Sequence, residues 1–253
     1  MVYCSMELKS STGSMIFIPG GTFRMGSDKH YPEEVPVHRV TVSGFWIDRT
    51  PVTNRQFKEF ARATGHVTFA EIPPDPKSYP GALPHMLYVG SRGGLDGAEV
   101  AWGDEFTLGG KHMANTWQGN FPHENKCEDG FDRTSPVTAF PPNGYGVYDM
   151  IGNVWEWTTD WWTAKHAPDA AKPCCIPENP RGGREEDSYD PCLPAAKIPR
   201  KVIKGGSHLC APNYCRRYRP AARHAEDVDT STSHLGFRCI IRGEVEGAFT
   251  SLQ

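Results

Sequence analysis

The stretch HRVTVSGFWID, residues 38–48, carries the clearest β-strand signal of the chain. Branched and aromatic side chains alternate with polar ones along it, which is the period of two expected of a half-buried strand. Two shorter stretches precede it, MIFIP at 15–19 and TFRMG at 22–26, with two glycines between them. We expect these two to pair as a hairpin, because Pro-Gly-Gly between strands marks a turn.

One short amphipathic helix is expected directly after residue 48. Thr53 is a favourable N-cap, and Phe57, Phe60 and Ala61 form an apolar stripe that ends before Gly65. Glycine at that position is a common way for a helix to end.

The rest of the chain is dominated by Pro- and Gly-rich segments, with 22 Pro and 26 Gly in 253 residues. Irregular loops are expected over residues 66–100 and 163–200, and no internal repeat is present. Short elements are expected between and after them: a turn at 141–144, half a helical turn at 147–150, and strands at 154–157, 202–204 and 236–242. The fold class is therefore α+β and loop-rich, with little regular secondary structure.

Composition excludes several classes of protein. A net charge of -3 argues against a nucleic-acid-binding surface. No apolar run approaches the roughly 18 residues that a membrane span needs. The first 15 residues contain no apolar core of a signal peptide, so we expect a cytoplasmic protein whose thiols are reduced.

Eight cysteines are many for a protein of that kind, and one pair stands out. Cys210 and Cys215 lie in residues 205–240, a segment rich in Arg, Ser, Thr and Asp and poor in aliphatic residues. A buried core does not require this combination, so metal binding or redox chemistry is the leading interpretation. A disulfide or two packed thiols are the alternatives.

The other thiols and the nearby imidazoles give weaker signals. Three thiols in the second loop and one before it could hold zinc, but their spacing fits no standard zinc motif, and we expect no metal there. For the histidines near the thiol pair we expect hydrogen-bonded or solvated roles rather than ligation. The residues in question are Cys127, Cys174, Cys175 and Cys192, and His208, His224 and His234.

Four motifs in order resemble the formylglycine-generating enzyme (sulfatase-modifying factor) family. They are GGTFRMGS at 20–27, PVHRVTVSGFWIDRTPVTNRQF at 36–57, NGYGVYDMIGNVWEWTTDWW at 143–162, and GGSHLC, YCRRYRPAAR and SHLGFRC within 205–239. The resemblance covers most of the chain. It implies a variant of the C-type lectin fold, with a single catalytic domain at 14–245 between a tail at 1–13 and a tail at 246–253.

The chain departs from the family pattern in one place. Members carry a helix and a PTEAEWE segment before an ARGG motif, whereas YVGSRGG at 88–94 runs here straight from the Pro-rich loop into that motif. The resemblance therefore implies an internal deletion before Arg92. It also implies that a partner cysteine of Cys239 would fall in the missing segment, so we expect Cys239 to be free and buried.

The resemblance assigns a copper site. Cys210 and Cys215 would bind Cu(I), a soft ion suited to thiolates, and leave a position for the substrate thiolate. Ser207 would be a polar catalytic residue, with a role at a turn as the alternative. Trp155, Tyr214 and Arg216 would bind substrate, with core packing as the alternative for the two aromatic residues. Arg216, Arg217 and Arg219 could lower the thiol pKa values.

The resemblance also assigns two structural Ca²⁺ sites built from oxygen ligands, which would tie down loops. Without the resemblance, Glu156 would be interpreted as a buried or capped carboxylate. The two ligand sets are Asn115, Thr116, Asp129 and Phe131, and Asp149, Gly152, Val154 and Glu156.

The implied activity is oxidation of a cysteine within a sulfatase CxPxR motif to Cα-formylglycine, using O₂ and a thiol reductant. A monomer that binds neither nucleic acid nor membrane is expected. Loss of a segment raises the alternative of a catalytically impaired member that binds sulfatases or peptides. Iron-dependent relatives of the family need a histidine cluster that this sequence lacks.

Overall fold

The computed structural model describes residues 14–67, 98–166 and 175–242. Strands are short and loops dominate, as expected for a loop-rich α+β fold. No helix in these ranges is long and apolar enough to cross a membrane. The elements are β1 (Met15–Ile18), β2 (Gly21–Met25), β3 (His38–Val42), β4 (Phe45–Asp48), α1 (Asn54–Thr64), β5 (Thr107–Leu108), β6 (Lys111–His112), β7 (Trp155–Trp161), β8 (Arg200–Lys204), β9 (His224–Asp227), β10 (Leu235–Gly236) and β11 (Ile240–Arg242).

The first four strands form one broken ribbon, and the expected pairing of β1 with β2 is wrong. β1 pairs with β4 and β2 pairs with β3, both antiparallel and in one continuous register. The break lies where Gly20 passes Gly44. A Cβ on Gly20 would lie 2.7 Å from the Val42 carbonyl oxygen, and one on Gly44 would lie 2.6 Å from the Phe17 ring. Pro-Gly-Gly is therefore a close backbone crossing rather than a hairpin turn.

Two sheets share the C-terminal end of the chain. One has the order β1-β4-β11 and the other the order β10-β7-β8-β9. The single strand expected at 236–242 is thus divided, because the backbone between β10 and β11 bonds elsewhere. The Phe237 carbonyl accepts from the Val52 N–H at 2.8 Å, and the Cys239 carbonyl accepts from the Asp48 N–H at 3.1 Å.

The expected helix is present with its expected ends. Thr53 and Gln56 form a capping box, in which each side chain accepts from the other residue's backbone N–H. Gly65 ends α1 in the left-handed region at φ 70°. The Phe57 ring meets the Phe237 ring edge-on, with the ring centres 6.3 Å apart. This contact packs α1 against the segment between β10 and β11, where the chain passes from one sheet to the other.

The half helical turn expected at residues 147–150 is absent. The backbone N–H groups of Tyr145 and Val147 both donate to the Asn143 side-chain oxygen at 3.0 Å, and Asp149 lies at φ 49°. A side chain that caps a turn competes with helix formation in this way. The strand expected at 154–157 is present and extends to Trp161 as β7.

Glu226 on β9 makes stability depend on pH. The residue is buried, and burial raises its pKa to about 7, with Asp227 and Asp229 adding repulsion and Thr230 opposing the shift. The folded protein therefore keeps a proton that the unfolded chain releases above its ordinary pKa of 4.5. Stability contributed by this group is lost as pH rises from 4.5 to about 7.

Replacing Glu226 with Gln should remove this loss. Between pH 4.5 and pH 8, the free energy of unfolding of Glu226→Gln should rise by about 2 kcal/mol relative to that of the wild type. Urea unfolding of both proteins at both pH values measures it. Glu59→Gln, on the exposed face of α1, is the matched control. An equal pH dependence of wild type and Glu226→Gln would contradict the expectation.

Candidate active site

The two cysteines of interest lie on the loop that follows β8. Gly205 and Gly206 turn the chain at φ 86° and 66°, and the loop then folds on itself. The Cys210 N–H donates to the Ser207 carbonyl at 2.9 Å, and the Cys215 N–H donates to the Ala211 carbonyl at 3.0 Å. These turns bring the two sulfur atoms to 3.3 Å. A disulfide bond is about 2.05 Å long, so the pair consists of two separate thiols.

The two thiols differ in environment and in charge. Cys210 is 2% exposed, and burial together with the adjacent Cys215 raises its pKa. The pKa of Cys215 is lowered to about 6, first by the hydrogen bond that Cys210 donates and then by the backbone and guanidinium of Arg217. Cys215 therefore carries a thiolate at neutral pH, and Cys210 keeps its proton to donate to it.

This difference should be visible in thiol reactivity. Because the thiolate is the nucleophile, iodoacetamide labelling of Cys215 should reach half its maximal rate near pH 6. Rates are measured by mass spectrometry of peptides across a pH series. Cys192, which is exposed, supplies the reference thiol in the same samples. A Cys215 profile with its midpoint at or above that of Cys192 would contradict the assignment.

Gly206 has no room for a side chain. A Cβ there would lie 2.6 Å from the Tyr218 backbone nitrogen and 2.8 Å from the Cys210 sulfur, and φ is 66°. Gly206→Ala should therefore displace the Cys210 thiol as well as strain the backbone. Gly109 has a similar φ of 57°, and a Cβ there would meet no atom within 4 Å, so Gly109→Ala isolates the backbone cost.

We expect Gly109→Ala to cost about 1 kcal/mol of unfolding free energy and Gly206→Ala to cost about 3 kcal/mol. Denaturant unfolding of both variants measures the difference. Equal costs would mean that the loop adapts to the added methyl group.

Two acidic residues that sequence reasoning missed hold the arginines of this loop. Glu33 pairs with Arg217 at 2.7 Å, and Glu34, which is fully buried, makes a bidentate pair with Arg219. The Arg217 guanidinium also lies 4.0 Å from the centre of the Tyr31 ring. The only signal was two Glu in YPEE and three Arg in RRYR, separated by more than 180 residues.

Of the three arginines that were expected to lower the thiol pKa values, each has a different environment. Arg217 lowers the pKa of Cys215. The charge of Arg219 is matched by Glu34, and its Nε donates to the Arg216 carbonyl at 3.0 Å. Arg216 is exposed, and its backbone N–H donates to the Tyr31 hydroxyl at 3.0 Å.

The other expected site residues are distributed between core and surface. Trp155 is 5% exposed and stacks on His224 at 5.5 Å, which fits the alternative of core packing. Tyr214 is 62% exposed beside Cys215, so it can contact a substrate. Ser207 is fully buried, and its hydroxyl accepts from the Leu209 N–H at 2.9 Å, as expected of a turn residue.

The first set of expected calcium ligands comes together. The Thr116 N–H donates to the Asp129 carboxylate at 3.1 Å, and the Phe131 N–H donates to the other oxygen at 3.0 Å. The Asn115 side-chain oxygen is buried with no hydrogen-bond partner among the described residues. Gln118 donates from its side chain to both the Thr116 carbonyl and Asp129. A buried oxygen without a partner, in a set of oxygen donors, fits a hard cation.

The second set does not fit a cation. Both carboxylate oxygens of Glu156 accept from Arg238, at 2.7 and 2.5 Å. The same guanidinium donates to the Tyr148 and Asp149 carbonyls at 3.0 and 3.3 Å. Arg238 thus supplies the positive charge at this point. Glu156 matches the alternative interpretation of a buried, paired carboxylate.

The remaining cysteines and histidines lie apart from the thiol pair or in packed positions. The described part of the chain contains no group of three His, Cys, Asp or Glu residues that could hold a metal. Cys174 lies outside the described residues, and Cys175 and Cys192 are exposed. Cys239 was expected to be buried but is half-buried. It lies in the segment between β10 and β11, where the chain passes from one sheet to the other.

Two of the histidines have hydrogen-bonded or packed roles. His208 Nδ1 lies 3.2 Å from the Asn153 carbonyl, and its ring is buried. Burial lowers the pKa of His208 and of His224 to about 4. Both rings are therefore neutral near pH 7.

Comparison with known proteins shows the family of this chain. The profile of the family described as "Sulfatase-modifying factor enzyme 1-like domain" matches residues 4–85 and 85–243. A "Formylglycine-generating enzyme" of Mycobacterium tuberculosis is 38% identical over 89% of this chain and 97% of its own length. An "Inactive C-alpha-formylglycine-generating enzyme 2" of Bos taurus is 29% identical over 90% of this chain and 88% of its own.

Solved structures agree on the fold. PvdO from Pseudomonas aeruginosa superposes with a TM-score of 0.58 at 21% identity, over 89% of this chain and 92% of PvdO.

The same comparisons bear on the missing segment. The alignment with the mycobacterial enzyme runs over 301 positions, whereas this chain has 253 residues, so the relative has a stretch without counterpart here. The two matches to the family profile meet at residue 85, close to the expected deletion before Arg92. That point lies outside the described residues. The family profile matches most of the length of this chain. The chain therefore belongs to the sulfatase-modifying factor enzyme 1-like family.

Proposed function

We propose that this protein oxidises a cysteine of a sulfatase polypeptide to Cα-formylglycine. The observation that carries the proposal is the pair of thiols 3.3 Å apart beside an exposed aromatic residue. The hydrogen bond from Cys210 lowers the pKa of Cys215 to about 6, which favours its thiolate. Relatives 33–38% identical to this chain are named formylglycine-generating enzyme. A half-buried thiolate that is activated by its surroundings is a common feature of reactive cysteine sites.

The overall reaction consumes O₂ and two external thiols. The substrate side chain CH₂SH becomes CHO, so its carbon loses two electrons and its sulfur leaves as H₂S. Loss of two hydrogens gives a thioaldehyde, which water hydrolyses to the aldehyde and H₂S, and both oxygen atoms of O₂ end in water. The two further electrons that O₂ requires come from two reductant thiols, which become a disulfide.

The two sulfur atoms suit Cu(I). Cys210 and Cys215 offer two soft donors close enough to share one ion, with no third protein ligand beside them in the described residues. When bound, Cu(I) would supply the one-electron chemistry that O₂ needs. The protein's own groups do the rest: Arg217 stabilises negative charge on Cys215, and the Gly206 backbone leaves space for the Cys210 sulfur.

A calcium ion at Asn115 and Asp129 would be structural. It would satisfy the buried Asn115 oxygen and fix the loop whose Trp117 N–H donates to the Cys210 carbonyl at 3.1 Å. Removal of Ca²⁺ with EGTA should lower the melting temperature of the wild type and leave that of Asn115→Ala unchanged. An equal effect of EGTA on both proteins would contradict this site.

A peptide assay tests the activity. The purified chain is incubated with a peptide that contains CTPSR, Cu(I) and a thiol reductant, and mass spectrometry follows replacement of one sulfur and two hydrogens by one oxygen. Conversion by the wild type is expected. No conversion, with the peptide still bound, would reject the enzymatic function. Conversion that survives Cys210→Ala or Cys215→Ala would reject the role of the pair.

A second function is favoured by a separate observation. This chain lacks a stretch that the mycobacterial relative has, and relatives with the word inactive in their names exist at 29–30% identity. The protein could then bind a sulfatase segment without oxidising it. Peptide binding that is equal in the wild type and in Cys215→Ala, together with no conversion, would be the signature of this binding function.

A further inference from the structure

Two loops, residues 117–121 and residues 207–215 (the thiol loop), meet beside the thiol pair and are joined there by three contacts of different kinds. The Trp117 N–H donates to the Cys210 carbonyl at 3.1 Å. The Asn213 side chain donates to the Asn120 side-chain oxygen at 2.8 Å. The Phe121 and Tyr214 rings stack with their centres 4.3 Å apart and their planes inclined by 18°.

The stacked pair leaves Tyr214 both held and accessible. Tyr214 is 62% exposed, although one face of its ring covers Phe121. Phe121 is in turn only partly buried and meets the Trp117 ring edge-on at 5.1 Å. A tyrosine that neighbours a reactive cysteine and is fixed on one face presents its other face to whatever approaches Cys215.

A groove continues from this point along the same loops. It has a volume of about 430 Å³, and Trp117, Gly119, Pro212 and Asn213 contribute to its lining. Its walls thus include residues on both sides of the contact between the two loops. A shift of one loop relative to the other would change the groove and the position of Tyr214 together.

We infer that Asn120 and Phe121 are positioning residues, which hold the thiol loop and fix the Tyr214 ring as a contact surface for the peptide that carries the target cysteine. This inference rests on the proposed function for the identity of the peptide. Neither residue touches the reacting atoms. Their effect is to remove the freedom of Tyr214 before the peptide binds, which lowers the entropic cost of binding.

The size of the effect follows from the stacking. An aromatic pair contributes about 1 kcal/mol beyond its buried area, which corresponds to about a fivefold change in binding. Phe121 acts mainly on binding of the peptide, through Tyr214, and more weakly on the thiol loop. We therefore expect Phe121→Ala to raise KM about fivefold and to lower kcat by a smaller factor. Phe121→Tyr keeps the ring and should behave as the wild type.

The control is another Phe that is partly exposed. Phe23 on β2 is 39% exposed and lies on a strand that pairs with β3. Phe23→Ala should leave KM and kcat unchanged. A loss confined to kcat in Phe121→Ala, or an equal change of KM in Phe23→Ala, would overturn the inference.

A second measurement does not depend on activity. Alkylation of the buried Cys210 is compared with alkylation of the half-buried Cys239, which lies at the crossing between the two sheets, by mass spectrometry in native protein. Asn120→Ala and Phe121→Ala should each accelerate labelling of Cys210 relative to Cys239, because the thiol loop loses its support. Unchanged labelling of Cys210, or equal acceleration of both thiols with a lower melting temperature, would overturn the inference.

The two readouts separate the two proposals. If the wild type does not convert the peptide, the enzymatic function fails, and the labelling ratio still decides whether Asn120 and Phe121 hold the thiol loop. If the wild type converts the peptide and the variants match it in both KM and labelling, only the positioning role fails.

Discussion

Cys215→Ser should lower the rate of peptide conversion by on the order of 1,000-fold, which is about 4 kcal/mol of barrier. A serine hydroxyl is not ionised at neutral pH and is a poor ligand for a soft ion, so both the negative charge beside Arg217 and the second sulfur donor are lost. Initial rates with the CTPSR peptide at saturating reductant measure the loss. Cys210→Ser should be similarly impaired, because the first sulfur donor is lost even though the serine hydroxyl can still donate to Cys215.

The matched control for these variants is Cys192→Ser, in which an exposed thiol outside the site is replaced. It should retain the wild-type rate and the wild-type affinity for Cu(I), measured by competition with a chromogenic chelator. Cys210→Ser and Cys215→Ser should each lose Cu(I) affinity. Loss of conversion with unchanged Cu(I) affinity in both variants would mean that the two cysteines act on the substrate without holding the ion.

The local elements of the fold could be predicted from the sequence because their causes are local. Alternation over residues 38–48 predicted one strand at this place, which the structure divides at residues 43–44 into β3 and β4, and Thr53 with Gly65 predicted both ends of α1. The pairing of strands depends on residues that are distant in the sequence, and the predicted pairing of β1 with β2 was wrong. The contacts that decide it are those of Gly20 with Val42, which the period of side chains along one strand does not report.

The candidate site divides in the same way. The spacing of Cys210 and Cys215 indicated a thiol pair, and the family resemblance named its metal. Burial raises the pKa of Cys210, and the hydrogen bond from Cys210 lowers that of Cys215, with Arg217 lowering it further. Arg217 is in turn held by Glu33, which is far from it in the sequence. A single sequence does not show that two residues so far apart, such as Glu33 and Arg217, are in contact.

Glu34→Gln should destabilise the fold more than any other polar substitution proposed for this protein. Glu34 is fully buried, Arg219 is 2% exposed, and the two form a bidentate pair. Arg219 also donates to the Arg216 carbonyl. Removing one charge leaves the guanidinium buried without its anion, which typically costs about 3–5 kcal/mol. We therefore expect a loss of about 3 kcal/mol in the free energy of urea unfolding at pH 7.

A double variant separates an uncompensated charge from loss of a favourable pair. Glu34→Leu with Arg219→Met removes both charges, and it should lose clearly less stability than the sum of the two single variants. Arg184→Gln removes an exposed guanidinium that pairs with Glu186 and Asp187 at the surface, and it should leave stability unchanged within error. If Glu34→Gln were as mild as Arg184→Gln, the Glu34–Arg219 pair would not anchor the thiol loop. Arg217 is paired with Glu33 and not with Glu34, so the lowered pKa of Cys215 should survive in Glu34→Gln.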